Sequence, residues 1–89
     1  MKITAQHILV NHEFEALDLV KKLEEGIAFE TLARDFSECP SGKDGGHLGE
    51  FGKGAMVPAF EKAAFLLFPG GVSGIVKTQF GYHLIKRIK

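Results

Sequence analysis

The sequence is poor in cysteine, in net charge and in long apolar runs. A single cysteine, Cys39, excludes an internal disulfide and fits a reducing compartment. Eleven basic and eleven acidic residues are spread along the chain, so no basic cluster is present to neutralise the phosphates of a nucleic acid. No apolar run approaches the roughly 18–20 residues that a membrane span needs, and the N-terminus lacks the extended apolar segment of a signal peptide. We therefore expect a cytoplasmic protein whose partners are neither nucleic acid nor membrane.

The length and composition favour one small globular domain over residues 1–89. A chain of this length buries roughly 60–65% of its unfolded surface. Hydrophobic residues make up 45% of the sequence and charged residues 25%, which are ordinary globular values. No internal repeat, linker or low-complexity segment divides the chain. We expect a monomeric single domain.

Hydrophobic periodicity predicts elements in the order β-α-α-β-α-β-β. Residues Lys2–Val10 carry apolar side chains on both faces, which is typical of a central strand. The order predicts an α+β fold with a mostly antiparallel sheet of four strands flanked by helices. The remaining expected elements are a helix after Asn11 that ends at Gly26, a helix over Phe29–Phe36, a strand at His47–Phe51, a helix from Pro58 that Pro69 ends, and strands at Val72–Thr78 and Tyr82–Lys89.

The first helix is expected to begin after Asn11, a residue type that caps helix N-termini. Phe14, Leu17, Val20 and Leu23 recur at helical spacing and predict its apolar face.

Two histidines lie on predicted strands in otherwise apolar stretches. If the first and last strands pair, His7 lies beside His83, and the Thr78 hydroxyl can join both rings in one hydrogen-bond network. The alternative is that each histidine is an ordinary core residue with satisfied hydrogen bonds. A zinc site from these histidines with Cys39 and His47 has suitable ligand types, but no CxxC or HxxxH spacing supports it. We therefore expect no metal.

The segment from Ser37 to Phe65 contains more than half of the eleven glycines and the only cysteine. The apolar residues Leu48, Met56 and Phe60 favour an apolar pocket with a thiol on its rim. The alternative is that Met56 and Phe60 are ordinary core residues at the start of a helix. No resolving cysteine accompanies Cys39, so we expect a packed or pocket-rim thiol rather than a nucleophile. The sequence GEFGKG is not a phosphate loop, because a Walker A motif needs glycine where His47 stands.

The chain resembles the parvulin family of peptidyl-prolyl cis/trans isomerases, and within it the single-domain bacterial members. The resemblance is carried by four correctly spaced segments that span nearly the whole chain: HILV, SECPSG, GGHLGEFGKGAMVPAFEKAAF and VKTQFGYHLIKR. It implies an isomerase of X-Pro bonds in unfolded or flexible protein segments, which assists protein folding without covalent chemistry, metal or cofactor. The active site is then expected on the concave face of the sheet.

The resemblance also implies roles for individual residues. His7 and His83 correspond to the family's central histidine pair, Thr78 to its hydroxyl partner, and Cys39 to the active-site cysteine. The implied substrate-binding residues are Leu48, Met56, Phe60, Gln79 and Phe80, of which the first three hold the proline ring.

Two departures from the family pattern affect specificity. Phospho-specific relatives have a longer basic loop after the first strand, whereas this chain has Asn11, His12 and Glu13 there, so we expect no selectivity for phosphoserine-proline. His47 stands where many relatives have Asp, and its role is open. Two other functions are also considered: a peptide-binding holdase without turnover, and one domain of a longer exported foldase, which the Met1 start and the absence of linker composition make the less favoured expectation.

Overall fold

The computed structural model describes all 89 residues, Met1–Lys89. Its element order is β-α-α-β-α-β-β, as predicted, with one additional short 3-10 helix between the second helix and second strand. The strands are β1 (Lys2–Val10), β2 (His47–Gly52), β3 (Val76–Thr78) and β4 (Gly81–Arg87), and the helices are α1 (Glu13–Glu24), α2 (Phe29–Phe36), the 3-10 helix (Pro40–Asp44) and α3 (Pro58–Leu66).

The four strands form one antiparallel sheet in the order β2-β1-β4-β3. The first and last strands of the chain therefore pair at the centre of the sheet. Their ends are also joined, because Thr4 N–H donates to the Lys89 carbonyl and Ile88 N–H donates to the Thr4 carbonyl. The two ends of the chain consequently leave the sheet close together.

Two hydrophobic clusters cover the two faces of the sheet, because side chains alternate along β1. Ile8 and Val10 face the cluster formed with α1 and α2, whereas Ile3 and Ala5 face the cluster formed with α3. Phe60 and Ala64 of α3 are buried in that second cluster. The face beneath α3 is the one that also carries His7.

The buried side of α1 differs from the predicted one in the first half of the helix. Phe14 and Leu17 are 70% and 53% exposed, whereas Ala16 and Leu19 are fully buried. Ala16, Leu19, Val20 and Leu23, spaced i, i+3, i+4 and i+7, pack on the sheet, so the predicted face includes Val20 and Leu23 correctly but not Phe14 and Leu17. Both sets of residues fit a helix, so only the docking of α1 on the sheet separates them.

Two predicted boundaries are also corrected. His12 rather than Asn11 is the N-cap of α1, and its N–H donates to the Glu15 side chain at 3.0 Å. Val72 makes only an isolated bridge to Lys86, so the strand predicted from Val72 begins at Val76. No helix of the structure has the length and hydropathy that a membrane span requires.

Candidate active site

The pairing of β1 with β4 brings His7 and His83 together. In the register, His7 faces Ile85 and Leu9 faces His83, so the histidines are diagonal neighbours on one face of the sheet. Their Nδ1 atoms lie 3.2 Å apart. Both side chains are almost fully buried, with 5% and 4% exposure. The predicted pairing of the two histidines across the sheet is therefore what the structure shows.

Hydroxyl groups complete the hydrogen bonding of both rings. Thr78 Oγ1 lies 2.7 Å from His83 Nε2, and Ser41 Oγ lies 3.2 Å from His7 Nε2. Ser41 also donates to Cys39 Sγ at 3.4 Å. One chain of contacts thus runs from Cys39 through Ser41 and the two histidines to Thr78.

The partners of the two hydroxyls assign a direction to this chain. Ser41 uses its proton on Cys39, so its oxygen accepts from His7 Nε2–H. His7 Nδ1 is then the acceptor for His83 Nδ1–H, which leaves His83 Nε2 to accept from Thr78. Thr78 Oγ1 in turn accepts from the Phe80 N–H at 3.1 Å. Every donor in this arrangement meets an acceptor when each ring carries one proton.

Burial keeps both histidines neutral. Desolvation, followed by the nearby charge of His83, lowers the pKa of His7 from 6.5 to about 4. Desolvation by burial also lowers the pKa of His83. At neutral pH the pair is therefore uncharged, as its shared hydrogen bond requires.

A glycine turn fixes the backbone of His7. The His7 N–H donates to the Gly46 carbonyl at 2.9 Å, and Gly46 has a positive φ of 86°. A Cβ at Gly46 would lie 2.3 Å from the His7 carbonyl oxygen. Only glycine allows the chain to approach β1 this closely.

The histidine pair forms the floor of an apolar groove of about 460 Å³. The groove is lined by His7, Leu9, Cys39, Leu48, Ala55, Met56, Val57, Phe60, Phe80 and His83. The Phe60 ring meets both imidazoles edge to face, with centroids 5.4 and 5.3 Å apart. The lining contains no charged side chain, so the groove suits an uncharged apolar group such as a proline ring.

Most of the predicted site residues lie together in this groove. Seven of them line it: His7, Cys39, Leu48, Met56, Phe60, Phe80 and His83. Thr78 reaches the site through His83, whereas Gln79 is exposed and lies outside the lining, so its contribution to substrate binding stays a prediction. His47 is exposed on β2, and no three His, Cys, Asp or Glu side chains gather as metal ligands would.

Four residues of this site are not predicted by the sequence. Leu9, Ala55 and Val57 line the groove, and Ser41 joins Cys39 to His7. Leu9 lies two residues after His7 on a strand, so strand alternation alone places both side chains on one face. Ser41 has no such signal, because the direction of its side chain depends on the 3-10 helix, where the sequence predicts a loop.

A second concavity, also of about 460 Å³, lies against α1 and α2. Its lining includes Val10, Phe14 and Phe36 together with two carboxylates, but neither of the buried histidines nor Cys39. The chemistry of the histidine pair therefore identifies the groove beneath α3 as the candidate active site.

Residues 7–89 match the family model described as the PPIC-type PPIase domain, or rotamase. The chain is 50% identical over 86 residues to the foldase protein PrsA of Geobacillus kaustophilus, an alignment that covers 96% of this chain and 31% of that protein. It is 51% identical over 87 residues to the foldase protein PrsA of Bacillus subtilis, covering 97% of this chain and 30% of that protein. The chain thus spans about a third of the length of these curated relatives.

A solved structure of similar size matches over nearly its whole length. The solution structure of NmPin, the parvulin of Nitrosopumilus maritimus, superposes with a TM-score of 0.88 at 48% identity, covering 99% of this chain and 96% of that one. The crystal structure of PrsA from Bacillus subtilis superposes with a TM-score of 0.96 at 48% identity, covering 99% of this chain and 35% of that one.

Proposed function

Because this chain belongs to the PPIC-type peptidyl-prolyl cis/trans isomerase family, the parvulins, we propose that it accelerates rotation about X-Pro bonds in unfolded or flexible protein segments. One observation carries the proposal: two neutral, hydrogen-bonded histidines form the floor of an uncharged apolar groove. Such a groove fits the proline ring, and its floor fits the polar amide that must rotate.

The reaction requires a lower rotational barrier and no new bond. Rotating an X-Pro bond breaks amide conjugation, against a barrier of roughly 18–20 kcal/mol. Uncatalysed exchange takes tens to hundreds of seconds, which is slow enough to limit folding. A hundred-thousandfold acceleration needs this barrier lowered by about 7 kcal/mol. Since no atom or electron is transferred, the reaction needs neither metal nor cofactor.

The groove favours the twisted amide over the planar one. At the transition state the amide has less charge separation, and its nitrogen becomes a better hydrogen-bond acceptor. A site that excludes water and holds the proline ring stabilises this state more than the ground state. Leu48, Met56 and Phe60 are the wall residues that we assign to the ring, because their side chains line the groove above the histidines.

The polar residues of the floor act by pre-organisation. Thr78 and Ser41 fix the rings of His83 and His7 through their Nε2 atoms, so the floor needs no rearrangement when the amide rotates. Cys39 lies at the end of this hydrogen-bond network, where its sulfur accepts a hydrogen bond from the Ser41 hydroxyl. We assign it an electrostatic role and no covalent intermediate.

The wider biological role follows from the relatives as a proposal. The relatives that align with nearly all of this chain include proteins named foldases. We therefore propose that the substrates are proline-containing polypeptides that have not completed folding. A cytoplasmic location, a monomeric state and the absence of nucleic-acid and membrane partners stay predictions from composition. The same groove also suits the alternative function, a holdase that binds peptides without turnover.

A protease-coupled isomerase assay separates the two functions. Peptides that vary only in the residue before proline are supplied as cis/trans mixtures, and the cis-to-trans rate is measured with and without the protein. An isomerase raises the rate in proportion to its concentration, with the highest kcat/KM for Leu, Phe or Ala before proline. Saturable peptide binding with no change in rate would support the holdase instead.

A further inference from the structure

We propose that Glu61 is a positioning residue that holds one wall of the groove in place and thereby sets the affinity for the proline segment. The wall segment, Lys53–Val57, joins β2 to α3 and contributes Ala55, Met56 and Val57 to the groove. Glu61 itself does not line the groove. The inference rests on the proposed function, because it concerns how the same groove takes its substrate.

The wall segment is tethered to α3 by two side chains of that helix. The Glu61 carboxylate accepts a hydrogen bond from the Gly54 N–H. Four residues further along, the Phe65 ring lies under the Lys53 ammonium group, whose nitrogen is 5.9 Å from the ring centroid. Since residues i and i+4 of a helix share one face, both contacts form on the same side of α3.

Phe60 and Glu61, which are adjacent in α3, have different roles: Phe60 packs in the core, whereas Glu61 binds the wall segment. Phe60 and Ala64 are buried in the core against the sheet, so they fix α3 itself. Glu61 then transfers that fixed position to the wall segment. The helix is thereby a rigid frame to which a glycine-containing segment is attached.

Residues 53–55 of the wall segment are exposed and have few other contacts, whereas Met56 and Val57 pack against the core cluster beneath α3, and the Glu61 N–H donates to the Val57 carbonyl at 3.0 Å. Within it, the Ala55 N–H reaches the Gly52 carbonyl only at 3.4 Å. A Cβ built on Gly54 meets no atom within 4 Å, and Gly54 has a positive φ of 93°. The segment is therefore exposed and conformationally free at the point where the Glu61 carboxylate binds it.

Loss of this tether should weaken substrate binding while sparing the rotation step. An untethered wall occupies its binding-competent position for only part of the time, and the apparent affinity falls by that fraction. The histidine floor is held by β1, β4 and the hydroxyls, and Glu61 makes no hydrogen bond to it. We therefore expect a higher KM with nearly constant kcat, because the ground state and the transition state lose the same binding energy.

The test compares Glu61→Ala, Glu61→Gln and Glu24→Ala in the isomerase assay. Glu61→Ala should raise KM about three- to ten-fold with kcat changed less than about two-fold. Glu61→Gln retains a side-chain oxygen that accepts the Gly54 N–H, so it should keep a near wild-type KM. Glu24→Ala is the matched control, because it removes an exposed helical carboxylate that makes no hydrogen bond. A wild-type KM in Glu61→Ala, or equal losses in the Ala and Gln variants, would overturn the inference.

A second measurement needs neither activity nor a variant. Amide hydrogen exchange on the wild-type protein should be slower at Gly54 than at Gly74, an exposed glycine whose N–H has no partner. Exchange at Gly54 as fast as at Gly74 would overturn the inference. If the wild-type protein bound proline peptides but showed no turnover, the proposed function would fail, while the exchange rates and the peptide affinities of the variants would still test Glu61.

Discussion

At the scale of single residues, His7 and His83 are the main polar groups that this fold buries around its groove. A buried imidazole without partners would cost several kcal/mol, but here both nitrogens of each ring are engaged. The arrangement accepts only one proton per ring. A second proton on His7 Nδ1 would place two N–H donors 3.2 Å apart.

The lowered pKa of His7 predicts a loss of stability in acid. In the unfolded chain His7 takes up a proton below about pH 6.5, whereas in the folded protein it does so only near pH 4. Between these pH values the unfolded state binds more protons than the folded state. The contribution of neutral His7 to the free energy of unfolding is therefore fully present above pH 6.5 and is lost progressively as the pH falls to 4. The free energy of unfolding should fall by up to about 3 kcal/mol through His7, and the lowered pKa of His83 acts in the same direction.

The His7→Gln variant isolates this effect from that of the carboxylates. Urea unfolding at a series of pH values should give a shallower pH dependence between 4 and 6.5 in His7→Gln than in the wild type. Parallel curves for the wild type and His7→Gln would show that His7 does not titrate in this way.

Cys39 is predicted to act without forming a covalent bond. Its sulfur accepts a hydrogen bond from Ser41 at the rim of the groove, and rotation of an amide needs no nucleophile. Cys39→Asp should retain measurable turnover, and Cys39→Ala should lose only part of kcat/KM in the isomerase assay. A covalent adduct between Cys39 and an X-Pro peptide, detected by mass spectrometry, would contradict this role.

At the scale of elements, the turn before β2 packs closely against β1 at His7, and Gly46 makes this approach possible. Gly46→Ala would place a Cβ 2.3 Å from the His7 carbonyl oxygen, which is backbone and cannot move aside cheaply. We expect a loss of several kcal/mol in the free energy of unfolding, measured by urea denaturation, together with a loss of isomerase activity.

Gly49→Ala is the matched control for this prediction. Gly49 also has a positive φ, 74°, but a Cβ there meets no atom within 4 Å. It should therefore show only the backbone cost, on the order of 1 kcal/mol. Similar losses in the two variants would show that the close approach at Gly46 is not what requires glycine.

The sequence predicts elements best where the hydrophobic periodicity agrees with the residues that begin and end an element. The sequence predicts a central strand over Lys2–Val10, and β1 has those bounds and lies between two neighbouring strands. The α2 bounds Phe29–Phe36 also agree with the prediction, because one apolar stripe fits that helix. Where two stripes fit, as on α1, the periodicity alone does not choose between Phe14 and Ala16.

The site was predicted in part because the resemblance supplied residues that periodicity does not mark. Strand alternation puts His7 and His83 on definite faces, but their contact depends on β1 pairing with β4, a long-range choice. Ser41 escaped prediction because a five-residue 3-10 helix, which has no hydrophobic period to reveal it, directs its hydroxyl to His7.

Phe60 belongs both to the groove and to the hydrophobic core. It lines the groove as predicted, but it is 3% exposed and also packs in the core with Phe51. Phe60 thus fits both interpretations that the sequence leaves open, a groove residue and a core residue at a helix start. Truncating a buried phenylalanine costs about 3–5 kcal/mol, which is a large share of the stability of a small domain.

At the scale of the whole molecule, the charge distribution predicts a preference for uncharged substrates. The chain has no net charge, the groove lining has no charged side chain, and the stretch after β1 carries Glu13 and Glu15. A phosphoserine brings roughly two negative charges, which need basic partners. Peptides with Leu, Phe or Ala before proline should give higher kcat/KM than phosphoserine-proline peptides. The reverse order would mean that basic groups elsewhere reach the substrate.

The meeting of the two chain ends at Thr4 and Lys89 determines how the domain can be connected to other polypeptides. A longer protein that carried this fold in its interior would enter it and leave it at neighbouring points. The domain can therefore be spliced into a surface loop without forcing the flanking segments apart. The same closeness allows a short bridge to link the ends and a new break to be opened in a distant loop. In such a rearranged chain the histidine pair should still form, since it depends on strand adjacency and not on chain order.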